Sequence, residues 1–287
     1  MAMRILLTGS AGFTGHYFRA CAEAAGHEVL PLTADLTDKT AVAAEVAHTA
    51  PDAVVHLAAI AFVGHADDAA FYAVNVVGSM NLLDALVALP RKPRRVLLAS
   101  SANVYGNCDR SPISEEQAPA PVNHYAMSKL AMEYMARTCS DSLPLVLVRP
   151  FNYTGPGQSP SFLIPKLVDH FVRRAADIEL GNLHVEREFN DVRMVCDAYL
   201  ALLQKGVPGE VYNVCSGQPH ALGSVIAALE ELTGHHLQVR VNPAFVRANE
   251  VHRLCGSPEK LLACTGSLPV HALRDTLSAM LEAARPA

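Results

Sequence analysis

The chain has 287 residues, of which 51% are hydrophobic and 18% charged, with a formal charge of −5. It is long enough for a large core in one or two domains and too apolar for a disordered segment, and it lacks the basic stripe that a nucleic-acid partner requires. Seven scattered cysteines, odd in number and never in CxxC spacing, argue against a disulfide framework or a zinc site and fit a reducing cytosol.

The N-terminus "MAMRILLTGS" lacks the basic region and long apolar run of a signal peptide. The longest uncharged apolar stretch, "AVVHLAAIAFVGHA", is too short and too punctuated to span a bilayer. The expectation is a soluble, cytoplasmic protein with no membrane partner. "RILLTG" reads as a strand and residues 12–25 as a helix. "EVLPL" is a strand, residues 39–48 a helix, "DAVVHLAA" a buried strand, and "FYAVNVVGSMNLLDALVAL" a long helix stopped at Pro90. "RRVLLAS" is a strand, residues 124–138 a helix, and "LPLVLVRP" another strand. Continuous apolar strands joined by helices predict an α/β fold with a doubly wound, Rossmann-type parallel sheet.

After Pro150 the texture changes. "FNYTGPGQSPS" is a loop, amphipathic patterns return at 162–176 and 192–204, and "EVYNV" reads as a strand rejoining the sheet. From Ser216 the pattern suggests two helices and short extended pieces. The predicted division is a dinucleotide-binding domain of residues 1–152, to which 187–215 return, and a smaller C-terminal substrate-binding cap of 153–186 and 216–287.

"TGSAGFTG" puts glycines at 9, 12 and 15, after the first strand and at the start of the first helix. A tight turn there brings backbone N–H groups and a helix N-terminus against a pyrophosphate, where a Cβ would block the approach. The strand–turn–helix setting favours a dinucleotide over a plain turn. Asp35 lies 20 residues after Gly15. Three readings stand for it: a hydrogen bond to the adenosine 2′-hydroxyl, a contact to the adenine, or a cap on the following helix. No arginine stands where a 2′-phosphate would sit, so the cofactor is NADP or NAD.

In "YAMSK", Tyr125 and Lys129 are four apart and share a helix face. A nearby ammonium, with a positively charged nicotinamide, would favour the phenolate and lower the tyrosine pKa. Ser101 follows the "RRVLLAS" strand, at the carboxyl end where such sheets bind ligands. Tyrosine, lysine and a strand-tip serine together point to an acid–base centre.

The set "TGSAGFTG", "HLAA" at 56–59, Asn75, "SSANVYG", "YAMSK" and "RPFN" resembles the extended short-chain dehydrogenase/reductase family that acts on nucleotide sugars, across nearly the whole chain. The resemblance implies that Tyr125 exchanges a proton with a sugar oxygen, Ser101 holds that oxygen and Lys129 binds the nicotinamide ribose. It implies a cofactor site of Gly9, Gly12, Phe13, Thr14, Gly15, Asp35, Leu36, Leu57, Ala58, Ala59, Asn75 and Pro150, with Tyr125 and Lys129. Asn75 could equally be an ordinary polar helix residue, and His56 reads as a strand residue rather than a base. The family's 4,6-dehydratases carry an acid two positions after the catalytic hydroxyl. This chain has Ala102 and Asn103 there, which disfavours dehydration.

Downstream, "RPFNYTGPGQSPSFLIPK", "GNLHVEREFNDVRMVCDAYLALL", "GEVYNVCSG" and "NEVHRLCGSPEKL" are similar to bacterial GDP-6-deoxy-4-keto-D-mannose reductases, which make GDP-D-rhamnose. That likeness implies a nucleotide-sugar substrate bound by Asn103, Asn152, Lys166, Arg187, Arg247 and Glu250. Where an Arg-Pro pair is usual, the chain has Arg247–Ala248. Guanidinium forks at Arg187 and Arg247, and the Lys166 ammonium, suit a diphosphate, although each also reads as a surface charge. Asp191 and Asp197 read as structural, pairing with arginines or capping a helix. His184, His220 and His235–His236 have no metal spacing. An epimerase of the same family, a non-catalytic dinucleotide-binding protein, and homodimer formation through the helices before Pro90 and around Tyr125 complete the expectations.

Overall fold

The computed structural model describes residues 2–63, 66–183, 185–243 and 252–285. Its centre is a six-stranded sheet in the order β10-β5-β4-β3-β1-β2, with every neighbouring pair parallel. The strands are β1 (Arg4–Thr8), β2 (Glu28–Pro31), β3 (Ala53–His56), β4 (Arg95–Ala99), β5 (Leu145–Pro150) and β10 (Val211–Val214). Alternate side chains feed two cores. Ile5, Leu7, Val55, Leu97 and Val148 pack on one face with α1 (Phe13–Ala24) and α7 (Val192–Lys205). Leu6, Val54, Val96, Leu98 and Leu147 pack on the other with α2 (Lys39–Thr49), α4 (Ser79–Ala88) and α5 (His124–Arg137). Burial on both faces is why the strands read as unbroken apolar runs.

The long helix before Pro90 is continuous over Asp68–Ala88 and runs as α3 (Asp68–Tyr72), a π-helical turn (Ala73–Gly78) and α4. By length and composition it could cross a membrane, but half of its apolar window is buried, and α4 packs against α2 and α5. That packing accounts for its hydropathy. The π-turn carries Asn75 fully into the interior.

A smaller unit follows β5. It comprises α6 (Leu163–Val172), α8 (Leu222–Thr233) and α10 (Leu273–Ala284) with the parallel pair β7 (Asp177–Leu180) and β12 (Gln238–Val241), around a core that includes Leu167, Phe171, Ile178, Leu229 and Leu277. β8 (Glu186–Arg187) lies between β11 (His220–Ala221) and β13 (Arg253–Leu254), and β6 (Tyr153–Thr154) pairs with β9 (Asn190–Asp191).

Two expectations are corrected. Among the described residues after Ser216 there are three helices, not two, because α9 (Glu259–Thr265) has 7 residues between Pro258 and Gly266 and is too short to show a period. Asp35 does not cap α2. Asp38 does, accepting from the amides of Thr40 and Ala41. Asp35 instead closes its own turn on the Thr37 amide and hydroxyl, both at 2.8 Å.

Candidate active site

The carboxyl ends of β1, β3, β4 and β5 present Gly9, Leu57–Ala59, Ser100–Ser101 and Pro150–Asn152 along one edge of the sheet. Gly9 has φ +69°, and a Cβ there would lie 2.7 Å from the Ala58 amide. A Cβ on Gly15 would lie 2.2 Å from the Gly9 carbonyl. Both glycines are therefore required by close backbone approach. Around Gly12 only the Gly9 carbonyl lies within 4 Å of such an atom, so the turn opens outward there, in front of α1. The residues fit a dinucleotide pyrophosphate.

Behind the loop, Thr8 Oγ1 accepts from the Leu57 and Ala58 amides, each at 3.1 Å. Its own proton is left for His56 Nδ1 at 2.7 Å, so Nε2 carries the ring proton and donates to Ser79 Oγ at 2.8 Å. Ser79 in turn donates to the Asn75 carbonyl at 2.7 Å. Burial, with the Lys129 charge, pushes the His56 pKa down to about 3. His56, read from the sequence as a strand residue rather than a base, ends β3 as a neutral strut. The Asn75 side chain holds both the amide and the carbonyl of Ile60 and donates to Ser128 Oγ at 3.0 Å, tying the loop after β3 to α5. Thr14 Oγ1 meets Tyr153 Oη at 2.8 Å, and the Phe13 ring stacks on Tyr153 with centroids 6.3 Å apart. Leu36 is buried in the second core, while Asp35 is exposed.

The acid–base residues come together. Asn123 caps α5 by accepting from the Ala126 amide, which starts the helix one turn before Lys129. Tyr125 is 8% exposed, and Ser101 lies near enough for its side chain to lower the phenol pKa against burial. Ser101 caps the 3-10 turn Ala102–Tyr105, and its Oγ accepts from the Asn103 amide at 3.2 Å and from Asn103 Nδ2 at 3.1 Å. With both lone pairs taken, the Ser101 proton is the one available to Tyr125 Oη or to a substrate oxygen. Asn103 thus holds Ser101. Lys129 is 3% exposed and donates to the Ala99 carbonyl at 2.8 Å; burial lowers its pKa to about 8, against the opposing pull of Glu133.

The expected lowering of the Tyr125 pKa joined two cations, Lys129 and a nicotinamide, and the protein itself supplies only the first. Burial raises the Tyr125 pKa, and the neighbouring Ser101 side chain offsets only part of the rise. The Lys129 ammonium is engaged with a backbone carbonyl and does not overcome the desolvation of the phenolate.

Sequence reasoning missed the support beneath this centre. Glu133, one turn beyond Lys129, takes Arg149 Nε at 2.9 Å, Nη2 at 2.6 Å and the Ser100 hydroxyl at 2.5 Å. Arg149 Nη1 donates to Tyr105 Oη, which donates to Asn213 Oδ1. The only signal in the sequence was the Lys129–Glu133 spacing.

Of the other expected substrate residues, Asn152 follows β5, Lys166 is on α6 and Arg187 on β8. The Asn152 carbonyl accepts from Asn190. Lys166 Nζ donates to the Glu179 carbonyl at 3.2 Å, and Arg187 Nη1 donates to the carbonyls of Glu186 and His252. The neighbouring acid, Glu188, is fully buried and accepts from the amides of Ser216, Gly217 and Gly256 and from the Ser216 hydroxyl. Asp191 caps α7 and pairs with Arg193, as expected, whereas Asp197 accepts the Cys21 thiol. Arg247, Glu250 and His184 lie outside the described residues. No cluster of metal-ligating side chains occurs among the described residues.

Residues 5–215 match the NAD dependent epimerase/dehydratase family. The chain is 37% identical to the GDP-6-deoxy-D-talose 4-dehydrogenase of Aggregatibacter actinomycetemcomitans, covering 92% of each chain. It is 36% identical to the GDP-6-deoxy-D-mannose reductase of Pseudomonas aeruginosa, covering 98% of this chain and 97% of the other. The solved structure of RMD from Pseudomonas aeruginosa complexed with NADPH superposes with a TM-score of 0.91 at 35% identity, covering 98% of both chains.

Proposed function

The chain belongs to the NAD dependent epimerase/dehydratase family, and on that premise we propose that it reduces the C4 ketone of a nucleotide-linked 4-keto-6-deoxy hexose, GDP-4-keto-6-deoxy-D-mannose to GDP-D-rhamnose. It is an NAD(P)-dependent oxidoreductase of the extended short-chain type, modifying nucleotide sugars. The observation that supports the reading best is the buried Tyr125 phenol set beside Ser101, whose side chain draws the phenol pKa down against burial, with Asn103 occupying both acceptor positions on Ser101.

Gly9, Gly12 and Gly15 would hold the coenzyme diphosphate, and Lys129 the nicotinamide ribose. The coenzyme, when bound, supplies the hydride. Tyr125 gives its proton to the sugar O4 as that oxygen becomes an alcohol. Ser101 donates a hydrogen bond to the same oxygen and keeps it within reach of the phenol. Because burial holds Tyr125 protonated, the resting centre starts in the state that reduction needs. Asn103 offers an amide where an elimination would need an acid. Lys166, Arg187 and Arg247 would hold the nucleotide diphosphate, Asn152 would contact the sugar or a phosphate, and Glu250 would contact the substrate elsewhere, with the smaller unit as substrate domain.

Tyr125→Phe should lower kcat by at least about a hundredfold while coenzyme still binds. A variant that turns over near the wild-type rate refutes the role. Supplying the keto sugar and identifying the product separates D-rhamnose from the 6-deoxy-D-talose configuration named in the Aggregatibacter relative. An epimerase would interconvert sugars without stoichiometric coenzyme oxidation. Exposed Val77, Met80, Met127 and Tyr134 lie on the neighbouring long helix and α5, which supports a homodimer through this face. Light scattering of Met80→Glu/Tyr134→Glu should then report a monomer, and an unchanged mass excludes the face. The cysteines are free, which supports a cytoplasmic setting.

A further inference from the structure

We propose that Glu45 sets coenzyme choice and that the protein takes NADH in preference to NADPH. The inference rests on the coenzyme site above but not on the identity of the sugar.

β2 is the edge strand beside β1, in register Leu7↔Pro31, and the Leu32 amide donates to the Leu7 carbonyl at 2.9 Å. Thr33 and Ala34 therefore leave the sheet level with Gly9 at the start of the phosphate loop. In a parallel sheet of this order the adenosine ribose lies over the carboxyl end of that strand. A carboxylate there accepts from the 2′-hydroxyl, and an arginine there accommodates a 2′-phosphate. This chain supplies its carboxylate from α2 rather than from the strand. Glu45 accepts from the Thr33 amide at 2.8 Å, from Thr33 Oγ1 at 3.1 Å and from the Ala34 amide at 2.7 Å. The amides that would otherwise face an incoming phosphate are already satisfied by an anion of the chain itself.

The surrounding charge has the same sign. Asp35 is exposed, and its pKa is lowered by the Thr37 amide and hydroxyl, so it is ionised. Asp38 occupies the N-terminus of α2, the other place where a phosphate could sit. Residues 28–38 contain no lysine or arginine, and Lys39 is paired with Asp84 at 2.7 Å. A 2′-phosphate would enter beside three carboxylates with no unengaged cation in this segment. A ribose hydroxyl carries no charge to repel.

The test measures binding without the sugar. NADH and NADPH fluorescence titrations should give an affinity on the order of tenfold to a hundredfold tighter for NADH. Displacement of NADH by AMP and by 2′,5′-ADP should show the same order. Glu45→Gln, which keeps an acceptor for one amide, should narrow the gap by tightening NADPH, and Thr33→Arg/Glu45→Gln should close or invert it. Equal or tighter NADPH binding by the wild type overturns the proposal, and needs no variant to fold. A gap unchanged in Glu45→Gln overturns the assignment to that residue. Binding of neither coenzyme would remove the coenzyme site itself, and the proposed function with it.

Discussion

Glu133→Leu tests the frame on which the acid–base centre stands. Glu133 and Arg149 are 1% and 3% exposed, joined by two hydrogen bonds, and Glu133 also takes the Ser100 hydroxyl. Removing the carboxylate leaves a buried guanidinium with only the Tyr105 hydroxyl as a side-chain partner. Breaking one side of such a pair costs about 3–5 kcal/mol, because an uncompensated charge remains in the interior. At roughly 2–4 °C per kcal/mol for a chain of this size, Tm should fall by roughly 6–20 °C in a thermal melt. Glu133→Leu/Arg149→Met removes both charges and should recover most of that loss. The double variant also isolates a chemical effect. Glu133 raises the Lys129 pKa against desolvation, so without it the lysine titrates below about 8. The limb of coenzyme binding that depends on the ammonium should move to lower pH in a folded protein. A single variant melting within a few degrees of wild type, or a double variant no more stable than the single, refutes the reasoning.

Coenzyme affinity of the wild type should weaken as pH rises through about 8, because Lys129 is charged below that value and neutral above it. Fluorescence titration from pH 7 to 9 reads this, and Lys129→Met should bind more weakly with a flat profile. Glu188→Ala should destabilise by at least about 3 kcal/mol in urea unfolding, since three backbone amides and a hydroxyl lose a buried acceptor. Glu188→Gln, which keeps one acceptor, should be milder. Equal midpoints for the alanine variant and wild type would show that Glu188 does not pin the Ser216 and Gly256 loops.

What was legible in the sequence was what short-range pattern encodes. Strands buried on both faces betray themselves as apolar runs, and the glycine turn is readable because a Cβ has nowhere to go at Gly9 or Gly15. Tyr125 and Lys129 share a face through helical spacing alone. The missed features depend on partners distant in the chain. Glu133 looks like the exposed end of an i,i+4 pair with Lys129, and only the approach of β5 shows that its partner is Arg149. Asn103 registered as a missing acid, whereas the structure shows its amide fixing the direction of the Ser101 proton. Asp35 and Asp38 are equally good caps by composition. The backbone at Asp38, not residue type, decides between them. α9 and the β7–β12 pair are too short for periodicity: α9 is held by Leu261 packing into the core that α7 and β10 share, and β7–β12 by Ile178 and Leu180 in the smaller unit's core.

The electrostatics of the centre follow from one cause. Burial drives each titratable group at the strand tips toward its neutral form: the Tyr125 phenol upward, Lys129 down to about 8 and His56 down to about 3. For His56 neutrality is structural, because both ring nitrogens are committed in a chain from Thr8 to Ser79. For Tyr125 neutrality is functional, because a proton donor must hold its proton until the substrate oxygen becomes basic. The Ser101 side chain lowers the Tyr125 pKa against burial, which eases loss of that proton. Lys129 keeps its charge at neutral pH because Glu133 opposes desolvation, and Glu133 withstands burial because Arg149 accompanies it. The Glu133–Arg149 pair, which by the usual accounting of buried ions adds little to stability, is therefore the device that lets one lysine remain an ammonium beside a phenol that remains protonated.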